Sequence, residues 1–183
     1  MFELERFVAE CEAAVADRDD HVAVREVVAR AVADPAAVLA TLGEPARAGI
    51  YVLHRSKRAT IINFVWGPSM SFMPHDHHMW AVIGLYAGRE DNIFWRRRKD
   101  APANLEAAGA RSIGAGEVCA LGADIIHSVL NPVAKLSAAI HVYGGDFLKQ
   151  ARSEWDPETL AERAYDPDKA RLMFEASNAR LAA

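Results

Sequence analysis

The chain has 183 residues, 51% hydrophobic and 25% charged, which suits one domain with its own core. Its formal net charge of −4 supplies no basic field that would favour nucleic acid or an acidic membrane. Two cysteines without a CxxC pair, and no apolar run near the ~20 residues that cross a bilayer, argue against a disulfide-stapled scaffold and a spanning helix.

The opening MFELERFVAEC mixes acids among its apolar residues, unlike a secretory leader, so the expectation is a soluble cytoplasmic protein. Phe2, Leu4, Phe7, Val8, Cys11 and Val15 recur with a helical period. Val22, Val24, Val27, Val28 and Val32 resume it after the charged break Asp17-Arg18-Asp19-Asp20. Asp34-Pro35 reads as an N-cap and first-turn proline of a short helix that ends at Gly43-Glu44-Pro45. Residues 1–45 are therefore expected to be helical.

From Gly49 the character changes. Ile50–Leu53, Thr60–Trp66, Trp80–Tyr86, Asn92–Arg96, Glu117–Leu121, Ser128–Leu130 and Leu136–Tyr143 are short β-branched or aromatic runs, punctuated by glycine and proline. Such runs predict a mainly β protein, a barrel over residues 49–147, and not alternating βαβ units. The basic run Arg96-Arg97-Arg98-Lys99 is flanked by Asp91 and Asp100 and reads as a solvated strand end. Asp156-Pro157-Glu158 and Asp166-Pro167-Asp168 each place an aspartate before a proline, which predicts helices over 156–183. Leu172, Met173, Phe174, Ala176 and Leu181 would be their apolar stripe. No repeat or linker divides the chain, so 1–183 is read as one domain.

The segment that carries chemistry is Pro74-His75-Asp76-His77-His78. If His75 begins a strand, His75 and His77 point to one face, because strand side chains alternate, and Asp76 and His78 point to the other. Two imidazoles on one face begin a metal site.

The wider spacing resembles the cupin superfamily. Its first motif runs glycine, five residues, HxH, three or four residues, glutamate, six residues, glycine. His75, His77 and Gly88 match it, Ser69 stands at the opening glycine, and the glutamate position falls on Ala81 or Val82. In the second motif Gly116, His127 and Asn131 match, while Gly122 and Asp124 replace a proline and a glycine. The resemblance covers residues 50 to 145. It implies a double-stranded β-helix, or jelly-roll barrel, with one divalent metal on His75, His77 and His127. Three imidazoles without a carboxylate leave the metal's charge uncompensated and suit several transition metals. Asn131 reads as a turn support.

Within that superfamily the chain is similar to the thiol dioxygenases, the cysteine dioxygenase family. Trp66-Gly67 precede the HDH, Gly88-Arg89-Glu90-Asp91-Asn92-Ile93-Phe94-Trp95 follow it, and Ala139-Ile140-His141-Val142-Tyr143 stands where the family has Ser-x-His-x-Tyr. The resemblance implies Fe(II), with other divalent transition metals open, a hydroxyl at Tyr143 oriented by His141, and an arginine for the substrate carboxylate. Arg55 is the candidate for that arginine, Arg58 the next. The serine is lost to Ala139, which leaves one nitrogen of His141 in need of another partner. Val82 stands at the position of a cysteine that some members cross-link to tyrosine, so no such link is expected here.

The implied function is oxidation of a small carboxylated thiol, of the cysteine or 3-mercaptopropionate kind, to a sulfinate with O2. The partners are the thiol and O2, with no nucleic acid and no membrane. Two other readings stay open: a metal cupin with different chemistry, such as a carbon-substrate dioxygenase or isomerase, and a non-catalytic cupin that binds a small ligand.

Overall fold

The computed structural model describes residues 1–17, 21–101 and 104–181. Three helices come first: α1 (Leu4–Asp17), α2 (His21–Val32) and α3 (Pro35–Leu42). The charged break falls on residues 18–20, outside the described residues, and Asp17 closes α1. Asp34 caps α3 as expected, its Oδ1 accepting from the Ala37 N–H at 3.2 Å with Pro35 in the first turn.

Eleven strands follow among the described residues: β1 (Gly49–Arg55), β2 (Thr60–Trp66), β3 (Ser71–Asp76), β4 (Ala81–Ala87), β5 (Arg89–Arg97), β6 (Leu105–Gly114), β7 (Val118–Leu121), β8 (Ile126–Leu130), β9 (Ser137–Tyr143), β10 (Ser153–Trp155) and β11 (Glu162–Ala164). They form two antiparallel sheets, ordered β1-β2-β9-β4-β7 and β11-β10-β3-β8-β5-β6. The protein is thus mostly β, with helices at both termini, as the sequence predicts.

Alternation explains how one sheet serves two cores. On β9, Ala139 and Tyr143 face the opposite sheet, while Ala138, Ile140 and Val142 face the helices. Strands β2 and β4 divide likewise: Ile62, Phe64, Trp66, Ala81, Ile83 and Leu85 turn inward, and Ile61, Val65, Val82 and Tyr86 turn out. A strand covered on both faces reads as a continuous apolar run, which is why Thr60–Trp66 and Ser137–Tyr143 stand out in the sequence. Gly84 sits on the outward face of β4, where a Cβ would collide with Val28 and Val32 of α2.

The structure differs from the sequence reading in four places. Strand β3 does not begin at His75 but runs from Ser71 and ends at Asp76. Its ladder with β8 shifts register between Phe72 and His75, and Pro74 lies in that irregularity, where a missing N–H costs least. Strand β6 escapes notice because Leu105–Gly114 is mostly exposed and rich in alanine and glycine. Over 156–183 only one helix forms among the described residues, α4 (Pro167–Leu181), opened as expected by Asp166. Asp156 instead accepts from the Glu158 and Thr159 N–H groups in the turn of the β10–β11 hairpin. The same aspartate chemistry serves a turn as well as a helix start. Finally, the buried stripe of α4 is Ala170, Phe174 and Ser177, and Leu172 and Leu181 are exposed. Phe174 stacks on Trp66, closing one end of the inner core.

Substituting Gly84→Val should destabilise the protein by about 1–3 kcal/mol through overpacking against α2. The urea midpoint checks this, and an unchanged midpoint would mean that α2 is not seated on β4 as described.

Candidate metal centre

His75 and His127 are direct cross-strand partners on β3 and β8, and His77 follows one residue after β3 ends. All three are buried, and their ligand atoms lie within 4.8 Å of one another. His77 Nε2 lies 3.1 Å from His75 Nε2 and 3.2 Å from His127 Nε2. Two nitrogens each ~2.1 Å from one metal are about 3.0 Å apart at a right angle and about 3.4 Å at a tetrahedral one. The spacing fits a shared ion.

The outer nitrogens fix the tautomers. His75 Nδ1 donates to the Met73 carbonyl at 3.0 Å, so its Nε2 keeps a free lone pair. His127 Nδ1 donates to Asn92 Oδ1 at 2.7 Å, which likewise leaves Nε2 bare. The bare lone pairs of His75 and His127 both face His77 Nε2, whose single N–H could satisfy only one of them, whereas one cation can take all three nitrogens. Burial drives His75 down to about 3, against the Met73 hydrogen bond that favours its charged form. Burial first, then the neighbouring imidazoles, holds His77 and His127 well below the ordinary histidine value. Neutral imidazoles are the form that binds a metal, and this donor set suits a divalent transition metal.

A carboxylate that the sequence reading misses lies behind the histidines. Glu90, fully buried, accepts from Trp66 Nε1 at 2.7 Å and from Asn92 Nδ2 at 2.9 Å. His141 Nε2 lies 3.5 Å from Glu90 Oε2, an electrostatic contact more than a directional hydrogen bond. His141 Nδ1 meets the Tyr143 hydroxyl at 3.2 Å. The expected His141–Tyr143 contact is thus formed, and Glu90 stands near the other nitrogen of His141. The signal is the polar Glu90-x-Asn92 spacing, which places both side chains on one strand face, but the apolar run that marks the strand begins only at Asn92.

A small cavity of about 20 Å³, room for a water-sized guest, opens beside His75, His127, His141 and Tyr143. Arg152 forms part of its wall. The guanidinium is sandwiched between Phe147 at 3.9 Å and Tyr165 at 3.7 Å, and its buried Nε has no hydrogen-bond partner among the described residues. Arg55 is not among the residues that line this cavity; it pairs bidentately with Asp146, at 2.8 and 3.2 Å, on the surface. Arg58 is exposed in the β1–β2 turn. Arg55 lies on the strand that forms the edge of its sheet, so its side chain reaches solvent, and Arg152 is the guanidinium brought to the site.

The remaining motif positions have structural work. Ala81 faces inward opposite Tyr143 and Val82 faces the helices, so neither brings a carboxylate or thiol to the metal. Ser69 keeps a positive φ of 52° where the motif has its first glycine. Gly88, at φ +75°, has no room for a Cβ beside Ser137. Asn131 donates to the Gly67 and Lys135 carbonyls, both at 2.8 Å, and so fastens the end of β8. His78 is half exposed, 3.4 Å from Asp76, and His54 pairs with Glu12.

No protein-family model matches the chain. Similar solved structures include an RmlC-like cupin family protein with a double-stranded β-helix fold from Methanocaldococcus jannaschii, at 9% identity and TM-score 0.48, covering 58% of this chain and 88% of that one. The DMSP lyase DddQ from Ruegeria pomeroyi DSS-3 is similar at 17% identity and TM-score 0.48, covering 61% and 53%. Oxalate decarboxylase from Bacillus subtilis is similar at 12% identity and TM-score 0.40; the match covers 50% of this chain and only 22% of that chain's length.

Replacing His75, His77 or His127 by alanine should each abolish stoichiometric metal binding, measured by elemental analysis, while His78→Ala retains it. Metal loss in the His78 variant would mean that the ligand set is wrong. A pH dependence follows as well. Unfolded, the three histidines take up protons near pH ~6.5, whereas folded His75 does so only near pH 3 and the other two are also held low. Their contribution is complete above about pH 6.5 and is lost as pH falls from there toward about 3. The melting temperature of metal-free protein should drop across that window, and a flat profile would contradict the burial of these rings.

Proposed function

We propose that the protein is a non-haem iron dioxygenase that oxidises a small carboxylated thiol, of the cysteine or 3-mercaptopropionate kind, to a sulfinate. The observation that carries this reading is one cavity lined by His75 and His127 of the three-imidazole donor set, by the Tyr143 hydroxyl that His141 holds, and by the Arg152 guanidinium. The reaction balances as R–S⁻ + O2 → R–SO2⁻, with both oxygen atoms passing to sulfur.

Iron(II) held by His75, His77 and His127 would supply the redox chemistry that joins O2 to a thiolate. The chain's own part is binding and orientation. Neutral ligands leave the 2+ charge of a bound ion facing the cavity, which favours an anionic sulfur donor. Arg152 suits the other end of the substrate. A buried guanidinium N–H without an acceptor is costly, and a carboxylate can satisfy it through a paired contact. Tyr143 is buried, and burial raises its hydroxyl pKa so that it stays protonated as a hydrogen-bonding group. The cavity is too small for a three-carbon thiol unless part of the Arg152–Phe147–Tyr165 wall moves aside.

Oxygen uptake by the iron-loaded protein against a panel of thiols tests the reading. Arg152→Ala should raise KM at least ~30-fold for a carboxylated thiol, about 2 kcal/mol, and barely change turnover of a matched thiol without the carboxylate. Arg55→Ala should leave both nearly unchanged. Equal losses with both thiols would make Arg152 structural, and no uptake with any thiol would shift the reading to other metal chemistry. Tyr143→Phe should retain metal and lose at least ~10-fold in kcat, about 1.4 kcal/mol.

A further inference from the structure

We propose that Glu90 is the positioning residue that sets the tautomers of both His127 and His141, and so joins the metal centre to the Tyr143 hydroxyl. Its two oxygens face opposite ways in the network. Oε1 accepts from Asn92 Nδ2 at 2.9 Å, which turns Asn92 Oδ1 toward His127 Nδ1, 2.7 Å away. That nitrogen must carry the proton, and His127 Nε2 is left unprotonated toward the metal site. Oε2 accepts from Trp66 Nε1 at 2.7 Å and faces His141 Nε2 at 3.5 Å. Among the described residues His141 Nε2 has no hydrogen-bond partner, so the nearby carboxylate favours the proton on Nε2. In neutral His141 the other nitrogen, Nδ1, then accepts from the Tyr143 hydroxyl at 3.2 Å. The tyrosine oxygen's lone pairs stay free for a guest in the cavity.

An ionised carboxylate is the group this arrangement requires, because it alone accepts on both oxygens. Glutamine in its place offers one acceptor and one donor to three N–H groups. If its oxygen faces Trp66 and His141, its amide meets Asn92. Asn92 must then turn, present its own N–H to His127, and drive the His127 proton onto the ligand nitrogen. If its oxygen faces Asn92, its amide meets His141 Nε2, and the His141 proton moves to Nδ1. Either way one tautomer is lost.

The His127 arm stands without any assumption about substrate; the His141 arm gains its meaning from the thiol dioxygenase reading. The test needs no turnover, so its outcome is separate from the fate of that reading. Two-bond nitrogen–proton spectra of the metal-free parent should show His127 protonated on Nδ1 and His141 on Nε2. In Glu90→Gln, either the zinc dissociation constant should rise at least ~10-fold as the His127 Nδ1 proton is lost, or the His141 proton should move to Nδ1. A folded Glu90→Gln variant that keeps both tautomers and binds zinc within about twofold of the parent overturns the proposal. Should that variant fail to fold, the parent spectrum decides, and a His141 proton found on Nδ1 alone overturns it.

Discussion

His75 and His127 stand opposite each other in the β3–β8 ladder, and the rest of the site is arranged around that pairing. The register shift before His75 aligns it with His127, and the end of β3 after Asp76 frees His77 to turn its Nε2 toward the other two. The same strand recruits the far wall. Asp76 Oδ1 accepts from the Ser153 N–H at 2.8 Å, and Glu154 pairs with His75 across the β10–β3 edge. That attachment places Arg152, one residue before β10, over Phe147 and Tyr165. Glu154 is itself a buried carboxylate held by Arg163 at 2.7 Å and Lys169 at 3.0 Å, so the hairpin and the start of α4 are tied to one point.

The electrostatics of the inner barrel follow from burial opposed by specific partners. Burial disfavours charge on the three metal-site imidazoles, and nothing nearby is strong enough to reverse it. For Glu90 burial also favours the neutral form, but the contacts from His141, Asn92 and Trp66 outweigh it and hold the carboxyl below its usual range. The barrel therefore keeps neutral donors at the metal site and an anion one layer behind them. That division leaves a bound cation's charge directed at the cavity while still fixing the rings that hold it.

Much of this is legible in the residues. The periodic valines of α2 and the Asp34-Pro35 start of α3 are local signals, governed by a few neighbouring residues. Strands covered on both faces announce themselves as unbroken apolar runs, and β2 and β9 are visible for that reason. The exposed strand β6 and the three-residue strands β10 and β11 carry no such signature. Their residues are strand-forming because a neighbouring edge supplies hydrogen bonds, a condition no window of sequence contains. Asp156-Pro157 shows the same limit, since an aspartate that accepts from the next N–H groups begins either a helix or a turn.

The sequence by itself determined which three histidines could share a metal, and it determined the His141–Tyr143 pair. Strand alternation joins His141 to Tyr143 and His75 to His77, and the resemblance to the cupin motifs adds His127. Only the tertiary structure decided that Arg152 and not Arg55 reaches the cavity, and that Glu90 stands beside the second nitrogen of His141. Arg55 ends a run that reads as a strand, whereas Arg152 precedes a three-residue strand with no signature of its own. Which one meets the site depends on where an edge strand and a distant hairpin come to rest. Glu90 looks like one acid in a charged turn until β5 pairs with β8 and buries it beside His141, far along the chain. Contacts of that kind are fixed by how sheets pack, and packing is a property of the whole chain.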